Sequence, residues 1–460
     1  MASQVIIGGG PVATNAIETI RQFDNQSQIT LICDEPAHSR MALPYWLSGQ
    51  IPREHTHTSD DAHYSKLGVD ARIGVRVDAV DPDGKSLSLS DGSSLGFDNL
   101  LIATGASPLP LPVPGADLNG VQNLWTLDHT QSLMDGIGTG AKPRVLMIGA
   151  GFIGFIMLNA MHKRGWDLTV VERETHVLPR MLDEGGADIV QSWLTSRGIS
   201  LHCGVSVKAI SEGDDGAKIV ELDNGTTCEA DFVIVAVGIK PNKDFLDGSG
   251  IELEDGVLVN DRLQTNYSCI YAGGDVAQGP VLRSDVREIH PIQPTAVDHG
   301  RVAGANMAGQ AVEYPGSLLM NVLDNCGLQC ASFGNWNDPD AEAMTISNVA
   351  GFVYRKLLWR DDQIVGAIFS GRANDLGMLN DVGMVKGILQ TGTRFGSWKK
   401  YLSENPFDIR RAYVATGVAK KLVGMTLLGQ PSRGRQYQFG GVRPNVPANQ
   451  AHAAFVNTKG

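Results

Sequence analysis

The chain has 460 residues, of which 42% are hydrophobic and 19% are charged, values that are ordinary for soluble folded domains. Its apolar runs are too short to span a bilayer, and its first residues lack the basic stretch of a secretion signal, so we expect a cytoplasmic protein. Six cysteines scattered along so long a chain exclude a disulfide-stabilised scaffold and favour a reducing compartment.

Charge is unevenly distributed along the chain. The formal net charge is −12, yet residues 409–460 contain eight basic residues and no acidic one, which leaves −20 on the remainder. We expect no binding to nucleic acid, because the acidic body would repel phosphates. The basic segment has three interpretations: a solvated terminus, a docking site for an acidic protein, or an interfacial helix at residues 411–428 on anionic lipid, which three glycines would weaken.

Two segments have the pattern of a βαβ unit, in which a helix connects two parallel strands. The first has a predicted strand, helix and strand at residues 4–7, 13–23 and 28–33. The second has them at residues 144–148, 152–164 and 168–171. Parallel strands joined by helices predict an α/β fold whose sheets are buried on both faces.

The turn after the first strand is a glycine fingerprint for a dinucleotide. Gly8 permits a tight turn, Gly10 lets the backbone approach a pyrophosphate, and Ala13 allows the helix to pack closely. The N-terminus of the following helix would point its amides at the diphosphate. Asp34, after the second strand, is placed to accept hydrogen bonds from ribose hydroxyls.

The second fingerprint has glycine at all three positions, Gly149, Gly151 and Gly154. Glu172 follows it at a spacing of 18 residues from Gly154. A carboxylate there binds a free 2′-hydroxyl and repels a 2′-phosphate, which favours NADH over NADPH. Arg173 lies next to Glu172 and would soften that preference. Two dinucleotide turns in one chain indicate electron transfer between two cofactors.

Further motifs suggest how the domains are connected. Thr104-Gly105 and Asp275 each follow a predicted apolar strand. The proline-rich residues 109–115 cannot continue a helix or a central strand, so we interpret them as a crossing to a second domain, with residues 238–242 as the return. Asp275 then completes the first domain, and the second domain is an insertion.

The C-terminal part has a different pattern. Segments with β-strand character and glycine punctuation at residues 318–333, 343–354 and 363–369 predict a third, α+β domain that ends near residue 401. Beyond Gln430 the chain is rich in Gly, Pro, Asn and Gln, and we expect it to be extended or partly disordered.

The order of these motifs resembles that of the pyridine nucleotide–disulfide oxidoreductase superfamily of flavoproteins, over roughly residues 4–400. The resemblance implies two Rossmann-like domains, one inserted in the other, and a homo-oligomer. Its implied boundaries are an FAD-binding domain at 1–114 and 243–312, an NAD(P)-binding domain at 115–242, a C-terminal α+β interface domain at 313–402 and a basic tail at 403–460.

The resemblance also assigns residues to the two cofactors. The positions that match FAD contacts are Gly8, Gly10, Pro11, Val12, Ala13, Asp34, Val77, Thr104, Gly105 and Asp275. The positions that match NAD contacts are Gly149, Gly151, Gly154, Glu172 and Gly238.

Two groups of segments resemble one branch of this superfamily. Residues 29–36 with Arg40 are similar to the flavin module of NAD(P)H nitrite reductases and of rubredoxin and ferredoxin reductases, and residues 315–334 are similar to their C-terminal domain. This implies that Arg40 is a neighbour of the flavin. Residues 294–309 match the helix beside the flavin, with His299 at a position that more often holds Gln.

The chain departs from the superfamily pattern at two positions. Met41 stands where coenzyme A disulfide reductases have a cysteine before Leu-Pro-Tyr. A thioether cannot serve as a thiolate nucleophile, which argues against disulfide reduction at that site. Ile156 stands where the superfamily usually has a Glu near the nicotinamide. Its presence puts the orientation of the nicotinamide, and the rate of hydride transfer, in question.

Other candidate centres have ordinary interpretations. Cys326 and Cys330 would lie about 13 Å apart on a strand, beyond the reach of a disulfide, and are interpreted as buried structural cysteines. His55, His57 and His63 lack a clear fourth metal ligand, and a solvated loop is the better interpretation. We therefore expect no metal site.

We expect an FAD-dependent NADH oxidoreductase in which hydride passes to the flavin, so that no side chain is assigned as catalytic. The acceptor would be external, most simply an acidic iron–sulfur carrier of the ferredoxin or rubredoxin type that meets the basic tail, or a reductase partner. One alternative is an NADH–quinone or NADH–oxygen oxidoreductase in peripheral contact with a membrane. The other, motivated by Ile156, is a flavin-binding subunit without efficient NADH turnover.

Overall fold

The structure is a computed structural model that describes residues 1–138, 140–423 and 426–428, with two short strands further on. In the N-terminal part the strands are β1 (Ser3–Ile7), β2 (Gln28–Cys33), β3 (Val69–Ile73), β4 (Val77–Asp81), β5 (Ser86–Leu89), β6 (Ser94–Gly96), β7 (Asn99–Ile102) and β8 (Ala106–Pro108). The helices are α1 (Pro11–Phe23), α2 (Leu43–Leu47) and α3 (Asp61–Leu67). The first βαβ unit is present, and α1 begins at Pro11 because proline is well suited to the first helical turn.

The middle part contains the second βαβ unit. Its strands are β9 (Val121–Asn123), β10 (Arg144–Ile148), β11 (Asp167–Glu172), β12 (Ser200–Cys203), β13 (Val207–Glu212), β14 (Lys218–Leu222), β15 (Thr227–Ala230), β16 (Phe232–Val235) and β17 (Ile239–Pro241). Its helices are α4 (Leu127–Ile137), α5 (Phe152–Lys163) and α6 (Glu184–Ser196). The predicted strand, helix and strand correspond to β10, α5 and β11.

The last part returns to the first sheet and then forms a third. Its strands are β18 (Val257–Leu258), β19 (Ile270–Ala272), β20 (Ala277–Pro280), β21 (Arg287–Glu288), β22 (Met320–Asn325), β23 (Leu328–Gly334), β24 (Glu342–Asn348), β25 (Val353–Arg360), β26 (Gln363–Arg372), β27 (Tyr437–Phe439) and β28 (Phe455–Asn457). Its helices are α7 (Gln293–Met307), α8 (Leu376–Thr391), α9 (Trp398–Glu404), α10 (Ile409–Ala415) and α11 (Val418–Val423).

Two parallel sheets carry the two glycine turns. Their described strands have the orders β19-β7-β1-β2-β3 and β12-β11-β10-β16-β9, and every pair within them is parallel. In each sheet the strand before the glycine turn lies between two neighbours: β1 between β7 and β2, and β10 between β16 and β11. The order of the strands therefore reverses at this strand, and successive connections run to opposite sides of it. Ligands of open α/β sheets bind in the crevice at such a point.

The first sheet contains strands from both sides of the middle part, since β19 pairs with β7. The second sheet is therefore an insertion, as predicted. The two crossings lie side by side: β8 and β17 form an antiparallel ribbon in which Ala106 pairs with Pro241. Beside this ribbon, the Thr104 hydroxyl donates to the backbone carbonyl of Asn242 at 2.7 Å. The side-chain amide of Asn242 donates to the backbone carbonyl of Thr104 at 2.9 Å.

Helix packing joins these parts. Gly300 and Gly304 of α7 face α1 so closely that a Cβ on Gly300 would collide with the backbone of Val12. The buried face of α2, formed by Leu43, Trp46 and Leu47, belongs to the core cluster of the second sheet rather than to that of the first. Helix α2 is therefore fixed against the second dinucleotide-binding unit.

The C-terminal sheet is antiparallel, with its described strands in the order β22-β23-β26-β25-β24. The predicted strand segment at residues 343–354 corresponds to β24 and only the start of β25, because a turn separates the two strands. Cys326 lies in the β22–β23 turn instead of on a strand with Cys330, which corrects the assumption behind the predicted 13 Å separation. Both cysteines are buried.

Part of the predicted basic tail is folded onto this domain. The predicted boundary at residue 402 falls inside α9, and Ile409, Ala412 and Val418 are buried in one cluster with α8. The single interfacial helix predicted for residues 411–428 is wrong where the chain is described, because α10 ends at Ala415 and α11 begins at Val418. The chain expected to be extended beyond Gln430 lies, apart from β27 and β28, outside the described residues, as do Arg433, Arg435, Arg443 and Lys459.

Candidate dinucleotide sites

The first glycine turn connects β1 to α1 and is closed on one side. Gly8 has a φ of +103°, and a Cβ there would collide with the carbonyl oxygen of Ala103, just after β7. Glycine alone combines that backbone conformation with that contact. Gly10 is the N-cap residue of α1, and no described atom lies within 4 Å of a Cβ built on it. The turn is therefore tight on its inner side and open on its outer side.

The open side faces the N-terminus of α1. No side chain caps this helix, and its first turn has no acidic residue. The backbone amides of the first turn of a helix have no partner within the helix, and together with the helix dipole they favour an anion. Val12 packs against the Gly273-Gly274 turn, 3.0 Å from a Cβ built on Gly273. The arrangement is suited to a phosphate group.

Two carboxylates follow β2. Asp34 has a side chain that is 51% exposed, and its Oδ2 accepts from Nη2 of Arg76 at 2.8 Å. Glu35 lies further inward: burial raises its pKa, while Arg40 and the backbone amide of Leu127 lower it. Sequence analysis named Asp34 as the ribose acceptor and missed Glu35, since adjacent acidic residues have no distinguishing signal. Both lie at the carboxyl end of β2, where the ribose site is expected.

Arg40 is the centre of a charged cluster beside the first turn. Burial lowers the pKa of its guanidinium, and the carboxylates of Asp275 and Glu35 partly offset this. Burial likewise raises the pKa of Asp275, against the attraction of Arg40. Nη1 of Arg40 lies 3.6 Å from the position of a Cβ on Gly105, and Nε is buried with no hydrogen-bond partner among the described residues. A buried cation with an unused donor is suited to an oxygen-rich ligand.

His299 lies on α7 and holds the turn that carries Asp275. Its Nδ1 accepts from the Gly274 amide at 3.1 Å, so the ring hydrogen is on Nε2 when the side chain is neutral. Burial, with a smaller contribution from the nearby His290, lowers the pKa of His299 to about 3. The imidazole is therefore neutral at pH 7. Its Nε2 is buried without a partner in the described part of the chain.

The remaining positions that were matched to FAD have clear structural surroundings. Val77 begins β4 and is buried in the core of the first sheet. The Thr104 hydroxyl is engaged with Asn242 of the return crossing, a residue that sequence analysis quoted in a motif but gave no role. The carbonyl of Gly105 accepts from the backbone N–H of Asn242 at 2.9 Å. These contacts lock the two crossings together next to the first turn.

The second glycine turn repeats the geometry of the first. Gly149 has a φ of +99°, and a Cβ on it would collide with the carbonyl oxygen of Ala236, just after β16. Gly151 is the uncapped N-cap residue of α5, and a Cβ on it would have no described atom within 4 Å. A Cβ on Gly154 would lie 3.0 Å from the carbonyl oxygen of Gly149, so the helix packs tightly on the turn.

Glu172 closes this turn from the end of β11. The residue is only 7% exposed. Its Oε2 accepts from the Ala150 amide at 2.6 Å and its Oε1 from the Glu174 amide at 2.9 Å. A carboxylate has about four acceptor positions, so lone pairs remain for sugar hydroxyls. Nε of Arg173 lies 3.2 Å from Oε1 of the exposed Glu174, so Arg173 pairs with Glu174.

Met41 and Ile156 belong to neighbouring helical segments. Met41, 41% exposed, lies in the turn that leads into α2. Ile156 on α5 is partly buried and packs against the core cluster that contains Leu43. Gly238 is part of the return crossing, and its carbonyl accepts from the Leu109 amide at 2.9 Å. The structure thus places Gly238 at the junction of the two domains.

Burial makes three of the six cysteines unsuited to thiol chemistry. All six lie in the described part of the chain and are free. Burial raises the pKa of Cys33 and of Cys326 to about 12 and that of Cys330 to about 11, so these thiols stay protonated. The described residues hold no group of His, Cys, Asp and Glu side chains that could bind a metal. Their helices are also too short or too polar to cross a membrane.

The residues present fit two dinucleotides. Each turn offers an open glycine cradle before an uncapped helix, which suits a diphosphate. The first also has Arg40 with its unused Nε donor, which suits a larger group with several oxygen atoms. The second has the buried carboxylate of Glu172, which suits an unphosphorylated ribose.

Comparison with known proteins agrees with this geometry. The model of the family described as pyridine nucleotide-disulphide oxidoreductase matches residues 2–300. The NADH-dependent phenylglyoxylate dehydrogenase subunit epsilon of Aromatoleum evansii is 32% identical over 370 residues, which are 79% of this chain and 87% of that protein. The rubredoxin-NAD(+) reductase of Alcanivorax borkumensis is 28% identical over 384 residues, 80% of this chain and 95% of that one.

A solved structure shows the same fold. The ferredoxin reductase of the CYP199A2 system from Rhodopseudomonas palustris superposes with a TM-score of 0.79 and 24% identity, covering 90% of this chain and 100% of that one. The Alcanivorax relative also confirms the sequence-based resemblance to rubredoxin reductases. The chain belongs to the pyridine nucleotide-disulphide oxidoreductase family, whose flavoproteins use FAD and NADH.

Proposed function

We propose that this NADH-dependent flavin oxidoreductase exchanges electrons with an external protein, of the iron–sulfur carrier or reductase-partner type. The observation that carries the proposal is the pair of equivalent glycine cradles with Met41 in place of a redox cysteine. Two nucleotides without a thiol relay require that electrons leave FAD directly. The names of two relatives support a protein partner, since one is a rubredoxin reductase and the other a subunit of a dehydrogenase.

FAD, when bound, supplies the redox chemistry by taking up hydride from NADH and releasing electrons to the acceptor. The protein supplies binding and orientation. The N-terminus of α1 and the cradle at Gly10 would hold the diphosphate, and Arg40 would donate to an oxygen of the cofactor. Asp275 would accept from a sugar hydroxyl, in the turn that His299 fixes.

The NADH side has its own set of residues. The cradle at Gly151 and the start of α5 would hold the diphosphate of NADH, and Glu172 would select its free 2′-hydroxyl. The contact of α2 with α5 places the Met41 segment beside the helix that carries Ile156. We propose that the nicotinamide enters between these segments, with Ile156 giving it an apolar wall instead of a carboxylate.

The acceptor site proposed from the sequence is the basic C-terminal segment. Arg410 and Lys420 are exposed on α10 and α11, and the side chain of Arg411 is 66% exposed although it pairs with Asp408. A basic surface on an acidic body would steer an acidic carrier to one face. Anionic lipid is the less favoured partner, because the helices are short and bury Ile409 and Val418 against α8.

Rapid mixing of the purified flavoprotein with NADH tests the proposal. We expect the flavin absorbance to bleach with NADH much faster than with NADPH, followed by reoxidation with a ferredoxin or rubredoxin. A flavin band that NADH leaves unchanged would support the flavin-binding subunit instead. Faster reoxidation by a quinone or by oxygen than by either carrier would support the NADH–quinone or NADH–oxygen oxidoreductase, and salt-sensitive binding to anionic vesicles would strengthen that alternative.

The direction of electron flow is measured in the same apparatus. A reduced carrier is mixed with the oxidised protein and NAD⁺, and formation of NADH reports the reverse reaction. We include this direction because one relative is a subunit of a dehydrogenase. We expect both directions to occur, and the ratio of their rates assigns the physiological one. A protein that reacts with NADH but with no carrier in either direction would contradict the proposed partner class.

A further inference from the structure

Trp125 lies in the loop between β9 and α4, outside every motif that sequence analysis identified. It is only 8% exposed. The guanidinium carbon of Arg40 lies 4.5 Å from the centroid of its ring, and its Nε1 donates to the Ala106 carbonyl at 3.0 Å. The ring is thus held by one crossing strand, β8, while it covers a charged group that belongs to a distant part of the chain.

The stacking of Trp125 on Arg40 stabilises a charge in a buried site. Burial disfavours the charged guanidinium, and Asp275 and Glu35 compensate only in part. An aromatic ring over the guanidinium carbon stabilises the charge without using any of its N–H donors. The donors then remain available, which agrees with the buried Nε of Arg40 that lacks a partner among the described residues.

The residues after Trp125 contribute to the same cluster. The backbone amide of Leu127, at the start of α4, interacts with the carboxylate of Glu35, whose pKa burial raises and Arg40 lowers. One short segment therefore supports both the cation and one of its counter-ions.

We propose that Trp125 is a positioning residue for the flavin cofactor: it fixes the Arg40 guanidinium so that its free N–H edge meets an oxygen atom of FAD. The inference rests on the proposed function, because it assumes that FAD occupies the first glycine cradle. Trp125 itself acts through Arg40 and makes no contact that the reaction requires. Its expected effect is on the affinity and spectrum of bound flavin.

The chain offers a matched control at Trp193 on α6. Trp193 is 6% exposed, its Nε1 donates to the Cys326 carbonyl at 3.1 Å, and the guanidinium carbon of Arg197 lies 4.2 Å from its ring centroid. Its burial, its hydrogen bond and its cation–π contact are equivalent to those of Trp125. It packs instead at the β22–β23 turn, so a purely structural loss would be the same for both residues.

The experiment measures release of FAD from the holoprotein variants W125L, W125F and W193L by the rise in free flavin fluorescence on dilution. We expect W125L to raise the FAD dissociation constant about tenfold, the scale of a partly desolvated cation–π contact, and W125F to raise it about threefold. W193L should leave it unchanged. The flavin absorbance maximum should shift only in W125L, and the unfolding temperature of its holoprotein should fall further than that of W193L, because more weakly bound FAD stabilises the folded state less.

A double-mutant cycle with R40M shows whether Trp125 acts through Arg40. In the R40M background we expect W125L to change the FAD dissociation constant by less than about twofold. Equal loss of FAD in W125L and W193L, or an undiminished effect of W125L in R40M, would overturn the inference. Wild-type protein that binds no FAD would instead overturn the proposed function, so the two failures are distinguishable.

Discussion

The two glycine turns have the same backbone and different surroundings. Gly8 and Gly149 have φ values of +103° and +99° and touch equivalent strand ends, and both helices start uncapped at an open glycine. The carboxylates that follow differ: Glu172 is buried with both oxygens bonded to backbone amides, whereas Asp34 is half-exposed and paired with a surface arginine.

The charged groups differ as well. The first turn is joined by Arg40 and Asp275, which come from segments far apart in the chain. The second turn has its recognition group, Glu172, inside its own βαβ unit. The motif thus specifies the same open cradle in both places. The charged groups beside the second turn are local in sequence, whereas those beside the first are brought there by tertiary contacts.

Filling either cradle with a methyl group should give the largest effect. In Gly10→Ala and Gly151→Ala the new Cβ occupies space free of described atoms, so the fold remains and the diphosphate is displaced. We expect a loss on the order of 100-fold in FAD affinity for the first and in NADH affinity for the second. Flavin content and the KM for NADH measure these losses. Loss of flavin in Gly151→Ala would contradict the separate assignment of the two turns.

Removing charge from each carboxylate tests the difference in their roles. Glu172→Gln should lower the preference for NADH over NADPH about tenfold, because the amide no longer repels a 2′-phosphate and bonds the Ala150 amide less well. Asp34→Asn should change the FAD dissociation constant less than about threefold, as expected for an exposed ion pair. A rise of about tenfold or more in the FAD dissociation constant of Asp34→Asn would show that Asp34 also binds a ribose.

The turn that carries Asp275 is held by a titratable side chain, His299, so its stability should depend on pH. His299 has a folded-state pKa of about 3, below its ordinary value of about 6.5. The unfolded chain therefore binds a proton first, and stability falls as the pH drops below about 6.5. Between pH 7 and pH 5 we expect wild type to lose about 2 kcal/mol more unfolding free energy than His299→Gln.

Denaturant titration at the two pH values measures this difference. Glutamine retains an acceptor for the Gly274 amide, so it preserves the hydrogen bond without the titration. Identical pH dependence in both proteins would mean that His299 is protonated in the folded state or does not bear on stability. His290, the neighbouring histidine, is present in both proteins and cancels in the comparison.

The smallest effect is expected at the clasp between the crossings. Thr104→Val removes the hydroxyl that donates to the Asn242 carbonyl and should cost about 1 kcal/mol of unfolding free energy. Flavin affinity should change little, because the hydroxyl is already engaged within the protein. A large loss of FAD with unchanged stability would show that Thr104 contacts the cofactor, as the sequence resemblance implies.

Local sequence patterns determined the two βαβ units, the position of the glycine turns and the insertion of one domain in the other. They could do so because strand and helix periodicity and glycine geometry depend on neighbouring residues. The same locality explains the prediction of Glu172, which lies on the strand next to its turn and bonds the amide of Ala150.

Only the tertiary structure decided which distant groups meet. It brought Arg40, Trp125 and Asp275 to one place, engaged Thr104 with Asn242, and folded residues 409–423 onto the third domain. Burial and pairing depend on which surfaces pack together, and a charged residue at the end of a strand looks the same in sequence whether it is exposed or enclosed. For that reason the contacts between these distant residues became visible only in the folded chain.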